Sequence, residues 1–240
     1  MTLQVARSPQ LHNPTSYGCV LYLPLWHNEL RGSPFSSVDV FRHICSVTGG
    51  AIKGALGRIC DGDDHINIDP SLTQLASTTA GTFEAWIMMP DATPAAESMI
   101  VCYGDASALE MIRYYVNANG TITGICYKAG TAQWSITTTN AVLTDNVFSK
   151  VSLVQNGTTP KLRVNGVEVA QTLGGGEVDV TAWFADCAGI DNGRIASRNA
   201  QGLGEGQWLT GTVGEVAIYD RAKSVGEDLH DYQVTKWRYL

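Results

Sequence analysis

The chain has 240 residues, 44 % of them hydrophobic and 16 % charged, and a net charge of −7. That apolar content over that length makes a folded chain with a large core and excludes an intrinsically disordered one. Lys and Arg are scattered and form no run that would track a phosphate backbone, so nucleic acid is not an expected partner. No apolar stretch approaches the ~20 residues that cross a bilayer, so a membrane is not expected either.

Residues 1–17 are polar, contain Pro9 and Pro14, and read as an extended N-terminal arm ahead of one domain over 18–240. Met1-Thr2-Leu3-Gln4-Val5-Ala6-Arg7-Ser8-Pro9 has no apolar core of a secretion signal. The arm offers only Leu3, Val5 and Leu11 as apolar anchors, and is expected to order against a neighbour rather than by itself.

Val20-Leu21-Tyr22-Leu23 begins the first strand, and Pro24 confines it to an edge or an end. Residues 27–48 read as a long irregular excursion, followed by a Gly-rich strand over 51–59 and a short alternating one over 65–68. Residues 82–89 form a central strand stopped by Pro90, and strands over 99–103, 111–116, 121–127 and 134–138 continue the series. Between 151 and 169 three strands are joined by two turns carrying Asn156-Gly157 and Asn165-Gly166. Asn-Gly is a strong hairpin signal, because a type I′ turn needs φ > 0 at both central residues. Gly174-Gly175-Gly176 opens a segment to 185 that reads as a mobile loop, and 194–197 is a short strand.

The last strand spans 212–219. Val213 and Val216 are three apart there, and a bulge at Gly214 would restore the period of two. Ser224-Val225-Gly226-Glu227 is a capping box that starts a helix running to about Tyr232. About a dozen strands at this spacing make an all-β, two-sheet antiparallel sandwich with one short C-terminal helix.

The six cysteines (Cys19, Cys45, Cys60, Cys102, Cys126, Cys187) have no Cys-x-x-Cys pairing, and a core this large needs no staples. They are expected to be reduced, buried and inert. The five histidines show no metal-ligand spacing. There is no Gly-x-Ser-x-Gly, no phosphate loop with its lysine and no His-Glu-x-x-His, so no catalytic residue and no cofactor is assigned. Asp61-Gly62-Asp63-Asp64 carries hard oxygen ligands of the kind Ca²⁺ takes, but Asp and Gly in this density first describe a turn, and no metal is assigned. Asn119-Gly120-Thr121 and Asn156-Gly157-Thr158 fit the glycosylation pattern and read better as turns. Trp134, Trp183, Phe184 and Trp208 fall near expected strand ends or loops, where aromatics can stack on sugar rings; Trp26 and Trp86 read as core.

Five segments, in order over about 18–232, resemble the laminin-G-like branch of the concanavalin A-like lectin/glucanase superfamily. They are Val20-Leu21-Tyr22-Leu23-Pro24-Leu25-Trp26, then Gly54-Ala55-Leu56 with Asp61-Gly62-Asp63-Asp64-His65-Ile66, then Phe83-Glu84-Ala85-Trp86-Ile87, then Leu162-Arg163-Val164-Asn165-Gly166, and last Gly211-Thr212-Val213-Gly214-Glu215-Val216-Ala217-Ile218-Tyr219-Asp220. Cys60 stands where that family usually has Phe. The resemblance implies a jelly roll. Glucanases of the superfamily carry paired acids on one strand; here Glu177-Val178-Asp179 keeps two of them, and Thr181 or Ala182 stands in place of the acid/base Glu. The segment Leu23-Pro24-Leu25-Trp26-His27-Asn28-Glu29-Leu30-Arg31-Gly32-Ser33-Pro34-Phe35, with Cys45-Ser46-Val47-Thr48-Gly49, further resembles the opening of laminin-G-like proteins of tailed bacteriophages. The expected function is therefore a non-enzymatic virion protein, a capsid decoration or tail-associated protein assembled in the host cytoplasm, whose partners are other virion proteins and its own copies. The alternative is a carbohydrate-binding module or adhesin that takes surface glycans, and the weaker alternative is a degenerate glycoside hydrolase.

Overall fold

The computed structural model describes residues 13–174, 177–202 and 204–240. The strands of the first half are β1 (Cys19–Leu23), β2 (Phe35–Ser36), β3 (Ile44–Thr48), β4 (Ile52–Lys53), β5 (Arg58–Asp61), β6 (His65–Asn67), β7 (Gly81–Met88), β8 (Ser98–Gly104) and β9 (Met111–Val116). Those of the second half are β10 (Ile122–Lys128), β11 (Thr131–Thr138), β12 (Ser149–Gln155), β13 (Lys161–Val164), β14 (Val167–Glu168), β15 (Gln171–Leu173), β16 (Asn192–Ile195), β17 (Arg198–Asn199), β18 (Glu205–Gly206) and β19 (Thr210–Tyr219). One helical turn, α1 (Leu72–Leu75), and one longer helix, α2 (Val225–Thr235), accompany them.

All pairing is antiparallel, in two large sheets. The first runs β14-β13-β12-β7-β19-β5-β4, with β1 sharing the β5 edge of β19. The second runs β15-β11-β10-β9-β8-β16-β6-β3-β2, and β17 pairs β18 as a separate hairpin. The register between β19 and β7 slips between Val213 and Glu215, so the bulge expected at Gly214 is present.

The core lies between the sheets. Its centre is aromatic: the Phe83 ring lies 5.1 Å from Trp183 and 5.7 Å from Tyr103, and Tyr103 meets Phe184 at 5.1 Å. The sheets approach closely at Gly124, where a Cβ would lie 2.6 Å from the Leu153 side chain.

Three local expectations are corrected. The 27–48 segment is not wholly irregular, because β2 and β3 lie in it and extend the second sheet. The 51–59 strand is a hairpin, β4–β5, whose Gly57 touches β19 so closely that a Cβ would stand 2.1 Å from the Val213 carbonyl oxygen. The 173–185 segment is not simply a loop: β15 pairs β11, and Trp183 and Phe184 are fully buried. Gly175 and Gly176 lie outside the described residues.

Asn165 (φ 53°) and Gly166 (φ 79°) make the type I′ turn expected of them. In the other Asn-Gly turn only Gly157 has a positive φ, and Asn156 Oδ1 instead accepts the N–H of Thr158 and Thr159. Asn119-Gly120 is likewise a turn, between β9 and β10.

Ser224 Oγ accepts from Glu227 N at 3.2 Å and Glu227 Oε2 accepts from Ser224 N at 2.8 Å, so the capping box is closed. Below α2, on the outer face of the first sheet, lies a buried ionic cluster. Glu84 pairs with Lys150 (3.0 Å) and Lys223 (2.7 Å), Asp228 with Lys150 (2.5 Å) and Arg163 (3.6 Å), and Asp231 with Lys223. Three carboxylates meet three cations, so no net charge is buried. Burial opposes the Asp228 carboxylate, but the Lys150 ammonium outweighs it and holds the group at about 2.

Of the expected arm, Thr15 lies against α2 and Asn13 against the end of β19: Thr15 Oγ1 donates to Asp231 Oδ1 at 2.7 Å, and Asn13 Oδ1 accepts from the Tyr219 hydroxyl. Residues 1–12 lie outside the described residues. All six cysteines are free and buried. Among the described residues no helix is long and apolar enough to cross a membrane.

Candidate functional site

The outer face of the second sheet carries the candidate site. Its register sets two adjacent rows of outward side chains. One row is Cys102, Arg113, Ile125 and Ser135; the next is Met99, Tyr115, Thr123 and Thr137. The intervening row, Val101, Tyr114, Gly124 and Ile136, faces the core, as period-2 alternation requires. Ala200, beside the β17–β18 hairpin, joins Met99, Cys102, Met111, Tyr115 and Ile125 in a small apolar cluster. Beyond that cluster the face turns polar and forms an open groove of about 550 Å³.

Glu97 and Tyr115 line one side of the groove, Asn117, Asn119 and Thr121 its end, and Thr123, Ser135 and Thr137 its floor. Arg113 stands in the adjacent outward row. Its Nη1 donates to Glu97 Oε2 at 2.8 Å and to Gln207 Oε1 at 3.2 Å, and its guanidinium lies 4.5 Å over the Tyr115 ring. Gln207 Nε2 also donates to Glu97 Oε2. Tyr115 is only 5 % exposed, and burial raises the pKa of its hydroxyl. Its ring is thus packed under Arg113 rather than offered as a flat platform.

The end of the groove is tied together internally. Asn117 Nδ2 donates to Thr123 Oγ1 (2.7 Å) and Thr121 Oγ1 (3.0 Å), Asn119 Oδ1 accepts from the Thr121 hydroxyl (2.7 Å), and the Thr123 and Thr137 hydroxyls meet at 2.7 Å. These bonds leave Glu97 Oε1, Asn117 Oδ1, Asn119 Nδ2 and Ser135 Oγ, all on residues that line the groove, without protein partners among the described residues. A strand-and-turn surface that carries unpaired donors and acceptors can hold a polar ligand.

The aromatics singled out from the sequence do not form this site. Trp134, Trp183 and Phe184 are buried at 1 % exposure or less. Trp134 has core-facing parity opposite Cys126, and its Nε1 donates to the Ala182 carbonyl at 2.8 Å. Trp208 is half-buried and stacks on His65 at 5.9 Å. Trp86 is buried as expected, against Tyr239 at 4.5 Å. Trp26, expected in the core, is half-buried beneath Arg238, whose guanidinium is 4.5 Å from its ring.

Asp61, Asp63 and Asp64 do come together, with ligand oxygens within 4.8 Å. Asp64 is buried and acts as a turn-former: its carboxylate accepts the N–H of Asp61 at 3.0 Å and that of Gly50. Hydrogen bonding to Asp63 and Asp64 raises the pKa of Asp61. Asp61 and Asp63 are exposed beside it, which leaves a cation two carboxylates from an Asp-Gly turn.

Glu177 and Asp179 lie outside any strand. Asp179 Oδ1 accepts from the N–H and hydroxyl of Thr181 (2.9 and 2.6 Å), so it closes a turn and does not face a second acid across a substrate. The groove itself was not picked out from the sequence. Its one signal there is the alternation Thr121, Thr123 and Ser135, Thr137, which puts hydroxyls on the face opposite the core.

A family model described as the concanavalin A-like lectin/glucanases superfamily, of laminin-G type, matches residues 61–227. The chain belongs to that superfamily. No curated protein matches it in sequence. Among solved structures, it is similar to the CBM40 of the Ruminococcus gnavus IT-sialidase bound to α2,3 sialyllactose, at 15 % identity and a TM-score of 0.60, over 72 % of this chain and 92 % of that one. It is also similar to Trypanosoma rangeli sialidase, at 17 % identity and a TM-score of 0.65, over 94 % of this chain and 34 % of the sialidase. A third similar structure is the NanB sialidase of Streptococcus pneumoniae, at 19 % identity and a TM-score of 0.60, over 75 % and 27 % of the two chains. At these identities the likeness is one of fold: two antiparallel sheets in a concanavalin A-like sandwich.

Proposed function

We propose that this member of the superfamily is a non-enzymatic carbohydrate-binding module whose glycan lies in the groove over β9, β10 and β11. The observation that carries the reading is the set of four unpaired polar groups on residues that line it: Ser135 on β11, Glu97 just before β8, and Asn117 and Asn119 in the turn between β9 and β10. The sialyllactose held by a similar fold supports it. The acids at Glu177 and Asp179 supply no paired-carboxylate chemistry, because one closes a turn and neither lies on a strand.

The test is a glycan array followed by titration of the hits. At least one glycan should bind at millimolar affinity or tighter, and Ser135→Tyr, which places a ring in the groove, should remove that binding without lowering the melting temperature. Unchanged binding by the folded variant would overturn the placement.

The virion role is a separate proposal about where the module works. Its support is the resemblance of residues 23–35 and 45–49 to the opening of laminin-G-like phage proteins. Copurification with, or immunogold labelling of, intact particles tests it, and a chain absent from the particles rules it out.

A further inference from the structure

We infer that the groove selects neutral glycans and rejects acidic ones. The inference rests on the binding reading above and concerns the charge of the ligand. Of the residues that line the groove, one is charged, and it is the carboxylate of Glu97. No lysine or arginine lines it among the described residues. Arg113 is the nearest cation to that carboxylate, and it is already committed: its Nη1 is on Glu97 Oε2, its guanidinium lies over Tyr115, and its side chain is 12 % exposed. The charge of Glu97 is shared by its two oxygens: Oε2 is held by Arg113 and Gln207, and Oε1, which has no protein partner among the described residues, keeps its share of the negative charge.

The balance of donors and acceptors points the same way. The unpaired groups are two acceptors (Glu97 Oε1 and Asn117 Oδ1), one donor (Asn119 Nδ2) and one hydroxyl that does both (Ser135 Oγ). A sugar hydroxyl donates and accepts, so a neutral polyol satisfies all four. A carboxylate only accepts, so it leaves Glu97 Oε1 and Asn117 Oδ1 facing another acceptor, with a like charge added. The chain's net charge of −7 works in the same direction at longer range. The ligand class is therefore a neutral hexose-based glycan bound through hydroxyl donors, in contrast to the sialyllactose seen on the similar fold.

The experiment is titration calorimetry of the intact chain with matched pairs that differ in one carboxylate: lactose against 3′-sialyllactose, and neutral oligosaccharides against their uronic acid counterparts. The neutral member should bind about tenfold or more tightly, the size of a like-charge contact near a protein surface. Glu97→Gln keeps the shape of the side chain and its contact with Arg113 while removing the charge, and it should shrink the difference within a pair. Because Glu97 also holds Arg113, the melting temperature of the variant is read alongside. Asn119→Asp, on an exposed turn, is the independent arm: it exchanges the donor for an acceptor and should widen the difference. Acidic members binding as well as or better than their neutral parents would overturn the inference while leaving the glycan reading intact. If no glycan of either class binds, the glycan reading falls and this inference falls with it.

Discussion

Gly166 offers a clean test of how the C-terminal helix is held to the sheet. It is the second residue of the type I′ turn between β13 and β14, at φ +79°, and a Cβ there would stand 2.5 Å from Leu229 Cα and 3.0 Å from Leu229 N, both backbone atoms of α2. Gly166→Ala thus has two costs. The left-handed backbone costs an L-residue about 1–2 kcal/mol. The clash costs about 1–3 kcal/mol more, since overpacking forces backbone to move. That movement is resisted because Asp228, next to Leu229, is ion-paired with Lys150 beneath the helix. The sum is about 2–5 kcal/mol, which for a chain of this size lowers Tm by roughly 5–20 °C. Gly157→Ala is the control. Its φ of +78° is the same, but nothing lies within 4 Å of the added Cβ, so only the backbone cost of about 1–2 kcal/mol applies. Thermal unfolding followed by circular dichroism reads both. If the two variants melt together, the close contact of turn and helix plays no part in stability and the reasoning fails.

Lys223→Met strips the buried Asp231 of its cation and Glu84 of one of two, and should cost about 3–5 kcal/mol in denaturant unfolding; a variant as stable as the parent would show that the ionic cluster is solvated. Stability should also pass through a maximum near pH 5. Burial raises Glu215 to about 7 from its ordinary 4.5, so its contribution is full below about 4.5 and is lost as pH rises through 7. Asp228, held at about 2 against burial by Lys150, and Glu227, held at about 2 by the hydrogen bond from Arg221, contribute above about 4.5 and lose that contribution as pH falls through 2. Glu227, whose side chain is 35 % exposed, is screened by solvent and contributes the smaller part. A denaturation midpoint that falls steadily from pH 8 to pH 2 would contradict the role of Glu215. The six buried thiols should react slowly with a thiol reagent in the native protein and completely in denaturant without reductant; fewer than six there means a disulfide.

The elements that were legible in the sequence are those whose signal is local. The Asn165-Gly166 turn, the bulge at Gly214 and the Ser224 capping box each need only neighbours within four residues, and each is present in the structure. What was misread depends on partners far along the chain. β3 gains its pairing from β6, some 20 residues on, and the two-residue β2 pairs only with β3, so the 27–48 segment shows no period of its own. The 173–185 segment begins with three glycines, yet Gln171–Leu173 is held by β11 and Trp183 by Phe83 across the sandwich.

The same distinction explains why the groove was missed and the tryptophans were misplaced. A large aromatic near a loop looks available for a ligand, but in a sandwich the loops fold over the open ends of the core. Trp183 fills such an end, so tightly that a Cβ on Gly81 would lie 2.5 Å from its indole nitrogen. The groove, by contrast, is assembled from common residues whose value appears only in register. Ser135 and Thr137 lie on one strand, Thr123 on the next and Tyr115 on a third, and Asn117 and Asn119 stand in the turn that joins two of them. None of these is a motif. Their meaning comes from which bonds they already make: Asn117 uses its donor on two threonines and keeps its acceptor, while Asn119 uses its acceptor and keeps its donor. A ligand for this face is therefore chosen by the groups that the fold leaves over. Those groups call for hydroxyls that give and take hydrogen bonds in turn.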